Sequence, residues 1–307
     1  MPQKSYIEKT LPLYLSTLGD LSAPRTILFV HGGPGGHSAG YESLLREYQR
    51  LWSESIQWIV YDQYACGRSQ GIPDKASHER NIEDIELIYQ KLKEHGIAID
   101  TLVGHSYGAW LARDYHLKYP NRIRSLILCG IDIDLAAPKN RSFLMDLLLL
   151  KQQDQKTYNS FLKGMITNSE DEVYVPWLAA KELRSKLLDS GKRSNYYWAN
   201  QNSKNHYFRL IEEASVAERD DTYRKVRDTL YREDYPFSLR LTEGINDDIP
   251  VLLINGFHDV LMDGASEKTS DLPGFMFKTY WQSGHYPHIE EPERFLNDVM
   301  RFVSQKP

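Results

Sequence analysis

A glycine-flanked serine is the first candidate for chemistry in this sequence. Ser106 lies between Gly104 and Gly108 in the pattern Gly-x-Ser-x-Gly. Apolar residues alternate over 97–103, as in a buried strand, and recur at helical spacing over 109–115. A serine in the sharp turn between a strand and a helix needs neighbours without side chains, because the backbone is crowded there. Such a turn places the hydroxyl at a helix N-terminus, which favours negative charge, so the motif predicts a nucleophilic serine.

A nucleophilic serine needs a general base and a group that orients the base. In the strand–turn–helix arrangement the acid and then the histidine follow the serine along the chain, each in a loop after a later strand. Asp259 follows a predicted strand at 251–255, and His285 follows a predicted strand at 275–281. We therefore predict that Ser106, Asp259 and His285 are the nucleophile, the orienting acid and the general base.

Other residues could fill two of these roles. Asp132 or Asp134, which follow the preceding predicted strand, could supply the carboxylate, and His288 could replace His285. We rank these residues lower. Gly284 lets the loop of His285 approach other backbone closely, whereas the residues after His288 resemble the start of a helix.

A glycine-rich segment predicts the site for the oxyanion. Residues 31–36 contain four glycines and one proline directly after a predicted strand at 26–30, so they form a loop with special backbone angles. We expect the backbone N–H groups of Gly33 and Tyr107 to stabilise the oxyanion formed when Ser106 attacks a carbonyl. His31 and His105, which stand beside these motifs, are expected to support the loops by hydrogen bonds.

The order of predicted elements indicates an α/β fold with a mostly parallel, doubly wound sheet. Strands and helices alternate through the first 130 residues after an edge hairpin at 6–18, and the alternation returns after residue 250. Residues 133–245 show helical periodicity without a convincing strand, so we predict a helical cap there, inserted into a core of residues 1–132 and 246–307. The remaining predicted strands are 56–61, 99–103 and 123–128, and the predicted helices are 41–54, 81–94, 106–119 and 292–303.

The composition of the 307 residues is that of a globular protein, with 41% hydrophobic and 26% charged residues. A net charge of −5 predicts neither a nucleic-acid nor a membrane partner. The N-terminal residues do not resemble a signal peptide, and two cysteines make no disulfide framework, so we expect a cytoplasmic protein and a structural role for Cys66. No metal-ligand spacing or dinucleotide fingerprint is present, so we expect no cofactor. No oligomeric state is predicted.

The motifs together resemble the α/β-hydrolase superfamily and, within it, the proline iminopeptidase-like serine aminopeptidases. The resemblance covers about 200 residues and is carried, besides Ser106 and Asp259, by residues 31–36, Asp62-Gln63, Gly67-Arg68-Ser69, Gly284-His285 and Glu290-Glu291-Pro292. It implies a serine hydrolase that forms an acyl-enzyme and releases an N-terminal residue from short peptides. The sequence departs from the family at Tyr64 and Ala65, where the family usually has Arg-Gly.

The resemblance also implies acidic cap residues that bind the free α-amine of the substrate. The candidates are Glu212, Glu213, Glu218 and Glu233, although the Gly-containing turn of the family has no counterpart near 223–235. A carboxylesterase or lactonase acting on a small apolar substrate is the alternative, with a cap lined by Trp177, Tyr197, Trp198 and Phe208. A third, non-enzymatic hypothesis is a receptor for a small ligand.

Overall fold

A mostly parallel β-sheet organises the protein. In the computed structural model the described residues are 11–20, 22–52, 54–132, 136–167, 183, 190–216, 220–232, 244–245, 249–262 and 274–305. Within them the sheet has seven strands in the order β1-β3-β2-β4-β5-β6-β7, and only β1 runs antiparallel to its neighbour. The strands are β1 Leu15–Leu18, β2 Arg25–Val30, β3 Ile56–Tyr61, β4 Thr101–His105, β5 Ser125–Cys129, β6 Val251–Gly256 and β7 Phe275–Tyr280.

The strand register brings the candidate site residues to one edge of the sheet. Val30, the last residue of β2, pairs with Gly104 of β4, and His105 pairs with Cys129 of β5. The ends of β6 and β7 are aligned in the same way. Because the carboxyl ends of parallel strands share an edge, the glycine-rich loop, Ser106 and the two loops that follow β6 and β7 all begin there.

Helices cover both faces of the sheet. Alternate residues of the central strands pack into two separate hydrophobic clusters, one with the helices His78–Glu94 and Tyr107–Lys118 and the other with the helices Ala39–Glu47 and Pro292–Ser304. Because both faces of each central strand are buried, the strands are continuous apolar runs in the sequence. The helices are α1 Ala39–Glu47, α2 His78–Glu94, α3 Tyr107–Lys118, α4 Ala136–Gln153, α5 Gln155–Thr167, α6 Ser190–Asn195, α7 Gln201–Glu213, α8 Asp220–Arg232, α9 Pro287–Glu290 and α10 Pro292–Ser304, with short 3₁₀ turns at Gln49–Leu51 and Pro73–Lys75.

The predicted fold class is confirmed, with local differences in the elements. Of the predicted edge hairpin, the described residues contain β1 alone, paired with β3 at the sheet edge, and residues 6–10 lie outside the described part. The helix predicted over 41–54 ends at Glu47 and is followed by a 3₁₀ turn. The indole N–H of Trp52 donates to the carbonyl of Leu45 over 3.0 Å, so this side chain satisfies a carbonyl in the last turn of α1.

Five helices, α4 to α8, account for most of the described residues between 133 and 245, and these residues contain no strand. Helix α7 packs on α1, where Leu210 and Tyr207 join the cluster that contains Tyr41. Gly35 of the glycine-rich loop lies against the backbone of Tyr223 in α8. Helical segments therefore lie beside the loops at the carboxyl edge of the sheet. The division at residues 133 and 245 stays a prediction.

Both cysteines are buried as free thiols. Burial raises the pKa of Cys66 and of Cys129, which disfavours the thiolate and agrees with the structural role predicted for Cys66. Among the described helices, none is long and apolar enough to cross a membrane.

Candidate active site

Ser106 lies in the strained turn predicted from its neighbours. Its φ and ψ angles are 52° and −119°, a region that residues with a side chain rarely occupy. A Cβ on Gly104 would overlap the first turn of α3, and a Cβ on Gly108 would overlap the carbonyl of Val30. The Ser106 N–H donates to the carbonyl of Cys129 over 2.8 Å, which holds the turn on the edge of the sheet. Both glycines are thus required by close backbone packing.

Asp259 and His285 form a buried hydrogen-bonded pair. The distance from Nδ1 of His285 to Oδ2 of Asp259 is 2.8 Å, and the side chain of Asp259 is fully buried. The other carboxylate oxygen accepts the backbone N–H of Leu261 over 2.9 Å. Because a carboxylate can only accept, Nδ1 carries the proton and Nε2 of the neutral imidazole is left as the basic nitrogen. The two loops therefore meet as the chain order predicted.

The loop of His285 packs directly on the residue that precedes Ser106. Nε2 of His105 lies 2.8 Å from the carbonyl oxygen of His285, and the two ring centroids are 4.9 Å apart. The backbone N–H of His285 donates to the carbonyl of Tyr197 over 2.7 Å. The loop that follows β7 and contains His285, called the histidine loop below, is thus held on one side by the turn at Ser106. On the other side it is held by the helical segment, residues 133–245.

The structure describes two of the three alternative site residues, His288 and Asp132. His288 is buried among the rings of Phe29, Tyr41 and Phe295, and burial, with a contribution from His285, lowers its pKa to about 3. It is therefore a neutral core residue at the start of α9. Asp132 is buried, and Asp134 lies outside the described residues.

The glycine-rich loop passes next to Ser106. A Cβ on Gly32 would lie 3.1 Å from Cβ of Ser106, so the two backbones approach closely. Gly33 has a φ of 139°, and a Cβ there would lie 2.7 Å from the backbone nitrogens of Gly35 and Gly36. Tyr107 is the first residue of α3, whose N-terminal N–H groups point out of the helix. The oxyanion role of Gly33 and Tyr107 stays a prediction.

Asp62 anchors the far end of the glycine-rich loop. Its carboxylate accepts the backbone N–H and hydroxyl of Ser38 over 2.8 and 2.7 Å, and it accepts Nε of Arg68 over 2.8 Å. Burial alone would raise the pKa of Asp62, but hydrogen bonds and charge from Arg68 outweigh burial and lower it to about 2. Arg68 also pairs with Glu42 over 2.9 Å and stacks on the ring of Tyr14.

Gln63 anchors the near end of the same loop. Its backbone N–H donates to Nε2 of His31 over 3.0 Å, and its side-chain amide donates to the carbonyl of His31 over 2.7 Å. Nδ1 of His31 therefore carries the ring proton and donates to the carbonyl of Gly32 over 2.8 Å. Burial lowers the pKa of His31 to about 4, so the ring is neutral. Asp62 and Gln63 thus hold the two ends of the glycine-rich loop. The hydrogen bonds of His31 agree with the prediction that this residue supports the loop.

Aromatic side chains of the helical segment lie beside the histidine loop. The ring of Tyr197 is 5.7 Å from that of His285, and Trp198 stacks on Tyr286 with centroids 4.3 Å apart. Of the other aromatic residues predicted to line the cap, Phe208 is 43% exposed and Trp177 lies outside the described residues. Two of the four predicted aromatic residues therefore come close to the candidate site.

The structure describes two of the four predicted amine-binding glutamates. Glu212 and Glu213 are exposed at the end of α7, and Glu218 and Glu233 lie outside the described residues. Besides Asp259, the carboxylate of Glu290 lies in the loop of His285, where it accepts the N–H of Gly284 over 2.7 Å. In the sequence, Glu290 is visible only as part of a family motif, with no role of its own predicted for it.

A small pocket opens between the helical segment and the loop after Asp259. Asp146 and Arg193 form an ion pair of 2.6 Å in its wall, and the Asp146 side chain is 2% exposed. The other lining residues are Met145, Leu149, Tyr196, Tyr197, Val260 and Leu261. The described residues contain no cluster of three side chains suited to hold a metal ion.

The family of the chain follows from this fold and from a comparison with known families. The family model for the α/β-hydrolase fold matches residues 25–292, which include the turn at Ser106 and the loops of Asp259 and His285. The chain belongs to the α/β-hydrolase family. Within this family it resembles the proline iminopeptidases.

Two curated relatives match most of the chain. A proline iminopeptidase of Saccharolobus solfataricus is 25% identical over 296 residues, covering 92% of this chain and 85% of the relative. A proline iminopeptidase of Heyndrickxia coagulans is 26% identical over 282 residues, covering 91% and 90%. These matches support a hydrolase enzyme that is similar to the peptidases of this family.

Two solved structures share the fold. A proline iminopeptidase-related protein from Thermus thermophilus superposes with a TM-score of 0.71 at 18% identity, covering 95% of this chain and 93% of that chain. An esterase from Exiguobacterium antarcticum superposes with a TM-score of 0.61 at 18% identity, covering 95% and 96%. At this identity the superpositions establish the fold alone.

Proposed function

We propose that this α/β hydrolase is a serine hydrolase that works through an acyl-enzyme. The observation that carries the proposal is the buried hydrogen bond between His285 and Asp259, in a loop that contacts the residue before Ser106. A histidine held in this tautomer presents Nε2 as a base, and the strained turn presents a hydroxyl at a helix N-terminus. These are the parts that an acyl transfer needs.

The reaction follows from these roles. His285 takes the Ser106 proton as the oxygen attacks the substrate carbonyl, and the imidazolium is stabilised by the Asp259 carboxylate. The resulting oxyanion is bound by the N–H groups of Gly33 and Tyr107. His285 then returns the proton to the leaving amine or alcohol, which leaves an ester on Ser106. Water activated by His285 hydrolyses that ester and restores the hydroxyl.

The substrate class that we propose is a short peptide with a free N-terminus, from which the enzyme releases the first residue. The support is the similarity to two proline iminopeptidases over more than nine-tenths of this chain. Residues 133–245 act as a cap in this proposal, since helices of that segment lie beside the glycine-rich loop and the histidine loop. Such a cap excludes long or folded chains. A cytoplasmic location is part of the same proposal.

A comparison of three substrates tests both the mechanism and the substrate class. A prolyl anilide with a free amine, its N-acetylated form and a short-chain aryl ester are each assayed with the wild type and with Ser106→Ala. We expect rapid cleavage of the anilide with the free amine and no cleavage of the N-acetylated anilide. Ser106→Ala should lose all turnover. Turnover that survives Ser106→Ala would contradict the serine mechanism.

A carboxylesterase or lactonase is the second candidate function. The aromatic side chains of Tyr197, Trp198 and Tyr286 beside His285 favour it, because they form an apolar surface next to the proposed base. Turnover of the aryl ester without cleavage of either anilide would select this function.

A further inference from the structure

Glu290 joins the histidine loop to the helical segment through one carboxylate. Its Oε1 accepts the backbone N–H of Gly284 over 2.7 Å. Its Oε2 accepts the backbone N–H groups of Ala199 and Asn200 over 2.8 and 2.9 Å. One side chain therefore satisfies donors from two segments that are distant along the chain.

The same two segments also meet directly. The N–H of His285 donates to the carbonyl of Tyr197 over 2.7 Å. A Cβ on Gly284 would overlap this carbonyl, so the contact requires a glycine immediately before His285. Together with the carboxylate of Glu290, these contacts hold the histidine loop against residues 197–200.

Residues 197–200 lead into a firmly placed helix. The side-chain oxygen of Asn200 accepts the N–H groups of Asn202 and Ser203 over 2.8 and 3.3 Å and so caps α7. Helix α7 packs on α1 at the core of the sheet fold. A carboxylate at a helix N-terminus is favoured by the exposed N–H groups there. Glu290 therefore ties the histidine loop to a rigid element.

We propose that Glu290 is a positioning residue that places His285 by fixing its loop to the start of α7. This inference rests on the proposed function, in which His285 is the general base. Glu290 does not touch the reacting atoms in this proposal. Its removal allows the histidine loop to shift, so the proton transfer slows while substrate binding is preserved.

The test compares Glu290→Gln and Glu290→Ala with the wild type on an aryl acetate, whose acyl group is too small to need the cap. Glutamine has the shape of glutamate but keeps a single acceptor oxygen, so it cannot serve both segments. We expect kcat to fall about 10-fold to 100-fold in Glu290→Gln, and further in Glu290→Ala, with KM unchanged. Glu293→Gln is the matched control, because Glu293 is exposed and its nearest cation, Arg50, is 3.9 Å away.

Each outcome bears on one proposal. A wild-type kcat in Glu290→Gln would overturn the positioning role. A change confined to KM would also overturn it, because Glu290 would then shape only the substrate site. Hydrolysis that does not depend on Ser106 would mark a failure of the proposed function instead, and the absence of Ser106 labelling by a fluorophosphonate would identify that case. If Glu290→Ala does not fold, the nearly isosteric glutamine variant carries the test.

Discussion

The Nε2 atom of His105 lies 2.8 Å from the backbone carbonyl oxygen of His285. A carbonyl can only accept, so Nε2 of His105 carries a proton and donates it to this bond. His105 is the last residue of β4 and directly precedes Ser106. One hydrogen bond therefore links the residue that precedes Ser106 to the backbone of the proposed base, His285.

We predict that His105→Phe lowers kcat by about 10-fold while KM is unchanged, because the ring volume remains but the donor that holds His285 is lost. Steady-state kinetics on an aryl acetate measures both constants. Unfolding in urea at neutral pH serves as the control for global damage. An unaltered kcat would show that this hydrogen bond does not place the base.

Asp259→Asn is expected to lower kcat by about 10⁴-fold. An amide in place of the carboxylate can donate to Nδ1 of His285 and so favours the wrong tautomer, and it no longer stabilises the imidazolium. Steady-state kinetics measures kcat and kcat/KM across a range of pH around neutrality. Asp132→Asn is the matched control. A larger loss in Asp132→Asn than in Asp259→Asn would reverse the assignment of the acid.

Ser106→Gly and Ser106→Ala should both be inactive, yet they should differ in stability. The alanine variant would still hold a Cβ in the strained region at φ 52° and ψ −119°, whereas glycine occupies this region without strain. We expect the free energy of unfolding of Ser106→Gly to exceed that of Ser106→Ala by about 1 kcal/mol. Equal values from urea unfolding would mean that the turn is not strained.

Acid should destabilise the protein in the range where buried histidines gain protons on unfolding. Burial lowers the pKa of His31 to about 4 and of His288 to about 3, and both would return to about 6.5 in the unfolded chain. Because the folded state binds fewer protons, stability is complete above about pH 6.5 and is lost as the pH falls toward these folded pKa values. Each histidine contributes up to about 1.4 kcal/mol per pH unit.

His288→Phe isolates one of these contributions. Phenylalanine fits the aromatic surroundings of Phe29, Tyr41 and Phe295 and carries no titrating group. We expect the slope of unfolding free energy against pH between about 6 and 4.5 to decrease by about one proton. The Asp62 carboxyl, with a pKa of about 2, does not affect this window, since its contribution is lost only as the pH falls below about 4. An unchanged slope would contradict the neutral state of His288.

Asp62→Asn should lower the free energy of unfolding by about 3 kcal/mol at neutral pH. The variant keeps the shape of the side chain but loses acceptors for Ser38 and Arg68, and it leaves the partly buried Arg68 cation less compensated. Urea unfolding measures the loss. Glu293→Gln removes an exposed carboxylate and should change the value by less than about 0.5 kcal/mol. A similar small effect for Asp62→Asn would refute the anchoring role.

The parts of the site set by local backbone requirements were the most predictable from sequence. The turn at Ser106 needs glycine at 104 and 108, because side chains there would overlap α3 and β2. The loops of Asp259 and His285 follow strands whose apolar runs are readable, and parallel pairing brings their ends together. The sheet and the meeting of Asp259 with His285 could therefore be predicted without a structure.

Contacts between segments that are distant along the chain could not be predicted from the sequence in this way. The carboxylate of Glu290 meets Ala199 and Asn200 only because the helical segment docks on the histidine loop. Ala65 adopts a φ of 57°, a conformation that favours glycine, at the position where the family usually has glycine. The sequence marks this departure, but neither spacing nor composition encodes the contacts of Glu290, since these depend on packing after the chain has folded.

The order of the site along the chain has a consequence for biosynthesis. Ser106 is translated well before the helical segment, whereas β7 and the loop of His285 come after it. A nascent chain can form β2 to β5 around the serine but has no partner to withdraw its proton. Under the proposed mechanism the hydroxyl therefore stays inert during translation, and hydrolysis begins only when the later strands complete the sheet.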